Sequence, residues 1–156
     1  MDMVIDRTQA DVDEALRIRR EKVQKYLALT GSEIEVLEKG TITHNTLNRI
    51  EEKQETLKGI LNSMGYWNNT TTNKQWNYSQ IFNADELQRI FNNAEILRDS
   101  FFVYSLTPPA PKVSYDYKSF NDLEKILQDI DLMISDVKSR YKRCGKLRCG
   151  GVVIND

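Results

Sequence analysis

Apolar and polar residues recur along most of this chain at the spacing of amphipathic helices. In the first segment Val12, Leu16, Val23 and Leu27 fall on one stripe, while Glu14, Arg17, Arg20 and Glu21 face elsewhere. Asp6-Arg7-Thr8 announces the start: Thr8 is an N-cap residue, and Asp11 three positions later completes a box-like cap. Gly31 is a natural stop. The stripe is narrow and Arg19 interrupts it, so this helix calls for a partner helix to cover it. A coiled-coil-like seam with another subunit would supply that cover, which makes Val12, Leu16, Val23 and Leu27 candidate interface residues. Residues 1–40 are therefore read as an N-terminal helix and a candidate oligomerisation segment.

Three later segments share one pattern: a capping residue, Leu four positions on, and an apolar residue three beyond that. They are Thr43-His44-Asn45-Thr46-Leu47-Asn48-Arg49-Ile50, Asn83-Ala84-Asp85-Glu86-Leu87-Gln88-Arg89-Ile90 and Ser119-Phe120-Asn121-Asp122-Leu123-Glu124-Lys125-Ile126. Leu57, Leu97 and Met133 align, as do Leu61, Phe101 and Val137, and a basic residue follows two after each leading Leu. Each segment predicts a capped amphipathic helix of about four turns. Glu86 and Asp122 occupy the third helical position, where a carboxylate can bond back to the cap. Spacing near forty residues raises a solenoid, but the linkers differ too much for a regular array, so residues 41–142 predict a compact helical domain.

The linkers carry their own signals. Met64-Gly65-Tyr66-Trp67 closes the second helix, and Asn68-Asn69-Thr70-Thr71-Thr72-Asn73 follows as a polar tract. Trp76-Asn77-Tyr78 and Ile81-Phe82 lead into the third. Thr107-Pro108-Pro109-Ala110-Pro111 excludes helix and predicts extended chain, and the alternation in Val113-Ser114-Tyr115-Asp116-Tyr117 fits a short strand. Residues 143–156 read as a small hairpin or an extension. The expected fold class is all-α: a bundle of about four amphipathic helices with a Pro-rich linker and a small extended or β-like C-terminal tail.

Composition narrows the function. Hydrophobic residues make up 40% of the 156 and charged residues 29%, an ordinary globular balance, and only seven Gly and three Pro break it. With 22 basic and 23 acidic side chains the formal charge is −1, which argues against a dedicated nucleic-acid binder. No apolar run reaches the ~18 residues of a membrane span, and residues 1–10 lack a signal-peptide core, so neither a membrane partner nor Sec-type export is expected. Cys144 and Cys149 are too few for a disulfide framework.

Candidate chemistry is sparse. His44, the only histidine, opens a helix and reads as a partly exposed polar side chain rather than a catalytic base. Glu51, Glu52 and Glu55, interleaved with Arg49, Lys53 and Lys58, read as a solvated charge-laced surface. No phosphate loop, dinucleotide fingerprint or nucleophile elbow is present, so the chain is expected not to be an enzyme and to need no cofactor. Cys144-Gly145-Lys146-Leu147-Arg148-Cys149 supplies half a zinc site at most; two reduced thiols near a turn is the plainer reading, with a disulfide or an intersubunit metal as alternatives. Arg140, Lys142, Arg143, Lys146 and Arg148, with Tyr141 among them, read as cations gathered at a helix C-terminus. Tyr66, Trp67, Trp76, Tyr78, Phe82, Phe101, Phe102 and Tyr104 read as core or interface anchors. A sugar-stacking platform built from Trp67, Trp76 and Tyr78 is the alternative.

Taken together, Asp6-Arg7-Thr8-Gln9-Ala10-Asp11-Val12, Thr46-Leu47-Asn48-Arg49-Ile50-Glu51, Met64-Gly65-Tyr66-Trp67, Phe120-Asn121-Asp122-Leu123-Glu124-Lys125-Ile126-Leu127 and Tyr141-Lys142-Arg143-Cys144-Gly145 resemble a family of small structural proteins. These are encoded among the tail and baseplate genes of phages and prophages of Gram-positive bacteria. The resemblance covers nearly the whole chain, although residues 150–156 run past the usual end of the family pattern. It implies a virion component of a tail, a baseplate or a phage tail-like particle, made in the bacterial host cytoplasm and without enzymatic activity. Expected partners are further copies of the chain, as a trimer or ring, and neighbouring tail or baseplate proteins. The alternative function is recognition of host cell-wall glycan.

Overall fold

Side-chain caps decide where the helices begin. The computed structural model describes residues 3–73, 75–77 and 83–143, with side chains through residue 140. The Thr8 hydroxyl accepts the Asp11 amide and the Asp11 carboxylate accepts the Thr8 amide at 2.7 Å, which starts α1 (Gln9–Glu21). Two expectations for this region fail. The helix ends at Glu21, and after a 3-10 turn (Val23–Lys25) Tyr26 takes the left-handed conformation at φ 54°. Gly31 is then not a stop but the first residue of α2 (Gly31–Gly40), opened by a second reciprocal box between Thr30 and Glu33. Helix α2 carries so short an apolar set, Ile34, Val36 and Leu37, that periodicity did not announce it.

The two helices form an antiparallel hairpin. Lys22 meets Glu33 near the turn, and Gly40 lies against Asp11 and Ala15 at the far end. A methyl group on Gly40 would overlap the Asp11 carbonyl oxygen and come within 2.6 Å of the Ala15 side chain. Glycine and alanine at these positions let the backbones touch, so α1 turns Ala15 and Ile18 inward, both buried.

The three repeated segments become α3 (His44–Ser63), α4 (Ala84–Ser100) and α5 (Tyr117–Arg143). Thr43 and Asn83 cap the first two as expected. Helix α5 begins earlier than its repeat suggests. Asp116, not Ser119, is the capping side chain, accepting the Ser119 amide at 2.8 Å, so Asp122 lies beyond the first turn. Glu86 pairs with Arg89 instead of bonding back to its cap.

All three run in the same direction. Arg49 and Lys53 of α3 meet Glu124 and Asp131 of α5, while Glu51 and Gln54 of α3 meet Arg89 and Asn93 of α4. Equivalent repeat positions therefore share layers. Leu47, Leu87 and Leu123 are buried, as are Ile50, Ile90 and Ile126; Leu57 and Leu97 are buried with Met133 packed beside them. Parallel neighbours cannot be joined by short turns. The 20-residue α3 is about 30 Å long, and retracing it takes about nine extended residues. The two long linkers are those return paths, and the described parts of residues 66–83 and 102–116 hold no helix or strand, including the strand expected near Tyr115.

The protein is all-α, with five α-helices among the described residues. No helix among them is long and apolar enough to cross a membrane.

Candidate functional site

Three features outside the apolar core bear on function: a buried charge clasp, a polar strap and an exposed face on the hairpin. The clasp centres on Glu124, whose carboxylate has no solvent exposure. It accepts Arg7 Nη2 at 2.6 Å, Arg49 Nη2 at 2.8 Å and the Val4 amide at 2.6 Å. Arg7 also donates to the carbonyls of Val4 and Lys39, and its own amide and carbonyl bond the Asn121 side chain. One guanidinium thereby ties the N-terminal segment, the end of α2 and the start of α5 together.

The strap is the return of the polar tract along α3. Its contacts descend in order: Asn68 on Asn62, the Thr70 carbonyl on Lys58, Thr72 on Glu55, the Asn73 amide on Glu51 and the Trp76 backbone on Asn48. On the other side Asn93 of α4 accepts the Thr71 amide and donates to the Thr71 carbonyl, while also bonding Gln54. At its foot Trp76 is only 5% exposed and donates Nε1–H to Glu51 Oε2 at 2.9 Å.

Glu51 and Arg49 correct the expectation of a solvated face on α3. Both are buried: Glu51 shares the stripe of positions 47, 50, 54, 57 and 61 that turns inward, and Arg49 is covered where it meets Glu124 of α5. Burial pushes the Glu51 carboxyl above its ordinary range, and the Arg89 guanidinium and Trp76 N–H oppose that rise. Arg89 Nη1 is 2.5 Å from Glu51 Oε1 yet aligned on the Thr71 carbonyl at 2.8 Å. Glu51 Oε1 thus has a charge contact without a well-directed hydrogen bond. Outward of this network, Asn69, Thr71, Asp85, Gln88, Asn92 and Ile96 line an open groove of about 380 Å³ between strap and α4.

The hairpin places the sequence-derived interface residues outward. Leu16, Val23 and Leu27 are exposed and Val12 is half-buried, since Ala15 and Ile18 take the inward positions. Exposed Ile34 of α2 lies on the same broad face, and Tyr26 at the turn is 98% exposed.

The aromatic residues divide. Trp67 is 80% exposed whereas Trp76 is buried, so the two indoles do not form one stacking surface. Tyr78 lies outside the described residues. Tyr66 packs edge-on against Phe101 at 4.9 Å, with Phe102 exposed beside them, and Tyr104 Oη donates to Asp136. His44 is the half-buried first residue of α3. Arg140 is exposed; Cys144, Cys149, Lys146, Arg148 and the expected hairpin or extension lie outside the described residues, as do the side chains of Tyr141, Lys142 and Arg143. Among the described residues no three His, Cys, Asp or Glu side chains cluster as a metal site would require.

The clasp and the strap escaped sequence reasoning, though a signal existed: Glu51 and Gln54 fall on the same helical stripe as Leu47, Ile50, Leu57 and Leu61. Polar residues on a core stripe need partners, and the polar tract supplies them. In comparisons with known proteins, no family model, curated protein or solved structure matches this chain.

Proposed function

We propose that this chain is a structural component of a phage virion, built into a tail, a baseplate or a phage tail-like particle, and that it acts by protein–protein assembly rather than catalysis. The observation that carries assembly is the exposed apolar face of the hairpin, Leu16, Val23, Leu27 and Ile34 with Tyr26 at its tip. Several large apolar side chains left in solvent on one hairpin, beside a well-packed core, support an interaction surface. The bundle behind it is held by the clasp and the strap, so the hairpin is presented on a rigid base. The placement in a virion rests on the resemblance of the capped repeats and the Asn121-Asp122-Leu123-Glu124-Lys125 start to phage tail and baseplate proteins. Its partners are other copies of the chain, as a trimer or ring, and neighbouring tail or baseplate proteins.

The test is fractionation of particles from a strain carrying an epitope-tagged copy of the gene. The chain is expected in the tail or baseplate fraction, at constant ratio to the other components. Its absence from purified particles overturns the virion assignment.

The groove beside the strap favours one second reading, binding of host cell-wall glycan. Asn69, Gln88, Asn92 and Asp85 offer amides and a carboxylate to sugar hydroxyls. It replaces the Trp67, Trp76 and Tyr78 platform as the place to look. Under that reading Asn92→Ala weakens retention on purified cell-wall polysaccharide; equal retention of wild type and variant removes it.

A further inference from the structure

We infer that the hairpin face is covered by a second copy of this chain, with the basic edge of α1 set against the acidic edge of the neighbour's α2. This rests on the assembly reading above and specifies the surface and the charged edges through which copies meet.

The inference starts from where helical spacing places the charges. On α1, Asp11, Ala15 and Ile18 point toward α2, as does Lys22 just past its end, and Leu16 lies to one side; Val23 in the 3-10 turn and Leu27 beyond it are exposed at the same end of the hairpin. Beyond Leu16, on the edge away from α2, come Arg17, Arg20 and Asp13. On α2, Glu33 and Gly40 point toward α1, and Ile34 lies on the same broad face as Leu16. Past Ile34, on the edge away from α1, come Glu38 and Glu35. The face therefore carries apolar side chains with exposed Arg19 among them, flanked by a mainly cationic edge on one helix and an anionic edge on the other.

One surface carrying both signs on opposite borders is complementary to itself. Hairpins arranged around a common axis would bring the apolar side chains together and set each Arg20 edge beside the next copy's Glu35 edge. A like-signed partner would be repelled at one border, whereas another copy satisfies both. The local pairing leaves charge for such contacts. Arg17 is engaged by Glu14 and Glu21, but among the described residues the Arg20 guanidinium holds only the Leu16 carbonyl of its own helix, at 3.3 Å. Tyr26 adds a second, independent sign. A non-glycine residue held at φ 54° with its ring in solvent is an uncommon conformation that makes an aromatic anchor protrude from the tip.

The experiment uses the full chain with charge reversals at exposed positions, its fold checked by circular dichroism. Light scattering on wild type is expected to give a multiple of the monomer mass that falls toward one as salt rises. Arg20→Glu and Glu35→Arg each set like charges against each other and are expected to run as monomers. The double variant R20E/E35R re-forms every cross-copy pair with reversed sign and is expected to recover the wild-type mass. A monomeric wild type, single variants that still assemble, or a double variant that stays monomeric would each overturn the inference. Failure here is distinguishable from failure of the virion assignment. A chain that assembles in solution but is missing from particles sinks the virion placement alone. A chain present in particles yet monomeric when isolated, and incorporated equally well as R20E, sinks this inference alone.

Discussion

Replacing Glu124 by Gln would leave Arg7 and Arg49 inside the bundle without the carboxylate that both guanidiniums share. Removing one partner from a buried pair costs about 3–5 kcal/mol, because the uncompensated charge stays buried. Glu124→Gln is expected to lower the unfolding free energy by that order in urea denaturation; a loss under about 1 kcal/mol would show that the clasp contributes little. Glu33 supplies a pH test at the same scale. Lys22, with the Thr30 cap, holds its carboxyl down at about 2, against an ordinary 4.5. A depressed folded value means that the stabilisation is fully present above the ordinary value and is lost as pH falls through the folded one. Amide protection at the start of α2 is therefore expected to decline between pH 4.5 and about 2, and Glu33→Gln should remove that acid-dependent component. Hydrogen exchange across an acid titration reads both outcomes.

At the scale of elements, the hairpin and the strap depend on different contacts and should fail separately. Gly40→Ala forces a methyl group into the Asp11 carbonyl and Ala15, so α1 and α2 must part. A cost of about 1–3 kcal/mol is expected, with exchange protection lost in α1 and α2 but kept in α3. The strap turns on Asn93, which satisfies both backbone groups of Thr71 and the Gln54 side chain. Asn93→Ala leaves the Thr71 amide and Gln54 Oε1 without this partner, while Arg89 still donates to the Thr71 carbonyl, for a loss of about 1–3 kcal/mol. In a Trp67→Phe background the remaining indole reports on the strap, and its emission should shift to the red as Trp76 loosens from Glu51. An unmoved spectrum would mean that the strap is held elsewhere.

At the scale of the whole molecule, the repeat explains the architecture. Three helices with the same stripe at matching offsets pack in parallel with like layers together, and parallel packing then requires long return linkers. This arrangement leaves Leu16, Val23, Leu27 and Ile34 of the hairpin uncovered. If copies cover them, the thermal midpoint should rise with protein concentration. Serine at Leu16, Val23 and Leu27 together should abolish that dependence. Because these side chains are exposed, the dilute-solution midpoint should change little. Differential scanning fluorimetry over a hundredfold dilution series, roughly the range that mass action needs, tests both statements.

Local patterning made the helices legible. The caps at Thr8, Thr43 and Asn83 and the stop at Gly65 with φ +89° follow from rules acting within a few residues. The same rules read Val12, Leu16, Val23 and Leu27 as one helical stripe, whereas α1 ends at Glu21 and leaves Leu16, Val23 and Leu27 exposed on either side of that break. They failed where one residue's environment is set by a segment distant in sequence. Arg49 and Glu51 resemble surface charges until Glu124 and Trp76 arrive from far along the chain to desolvate and pair them. Ala15 looks unremarkable until Gly40 packs on it, and that contact turns Leu16 outward. Period and capping are properties of a single helix and can be read from residue order, whereas burial of a polar group is decided by which other segment comes to rest upon it.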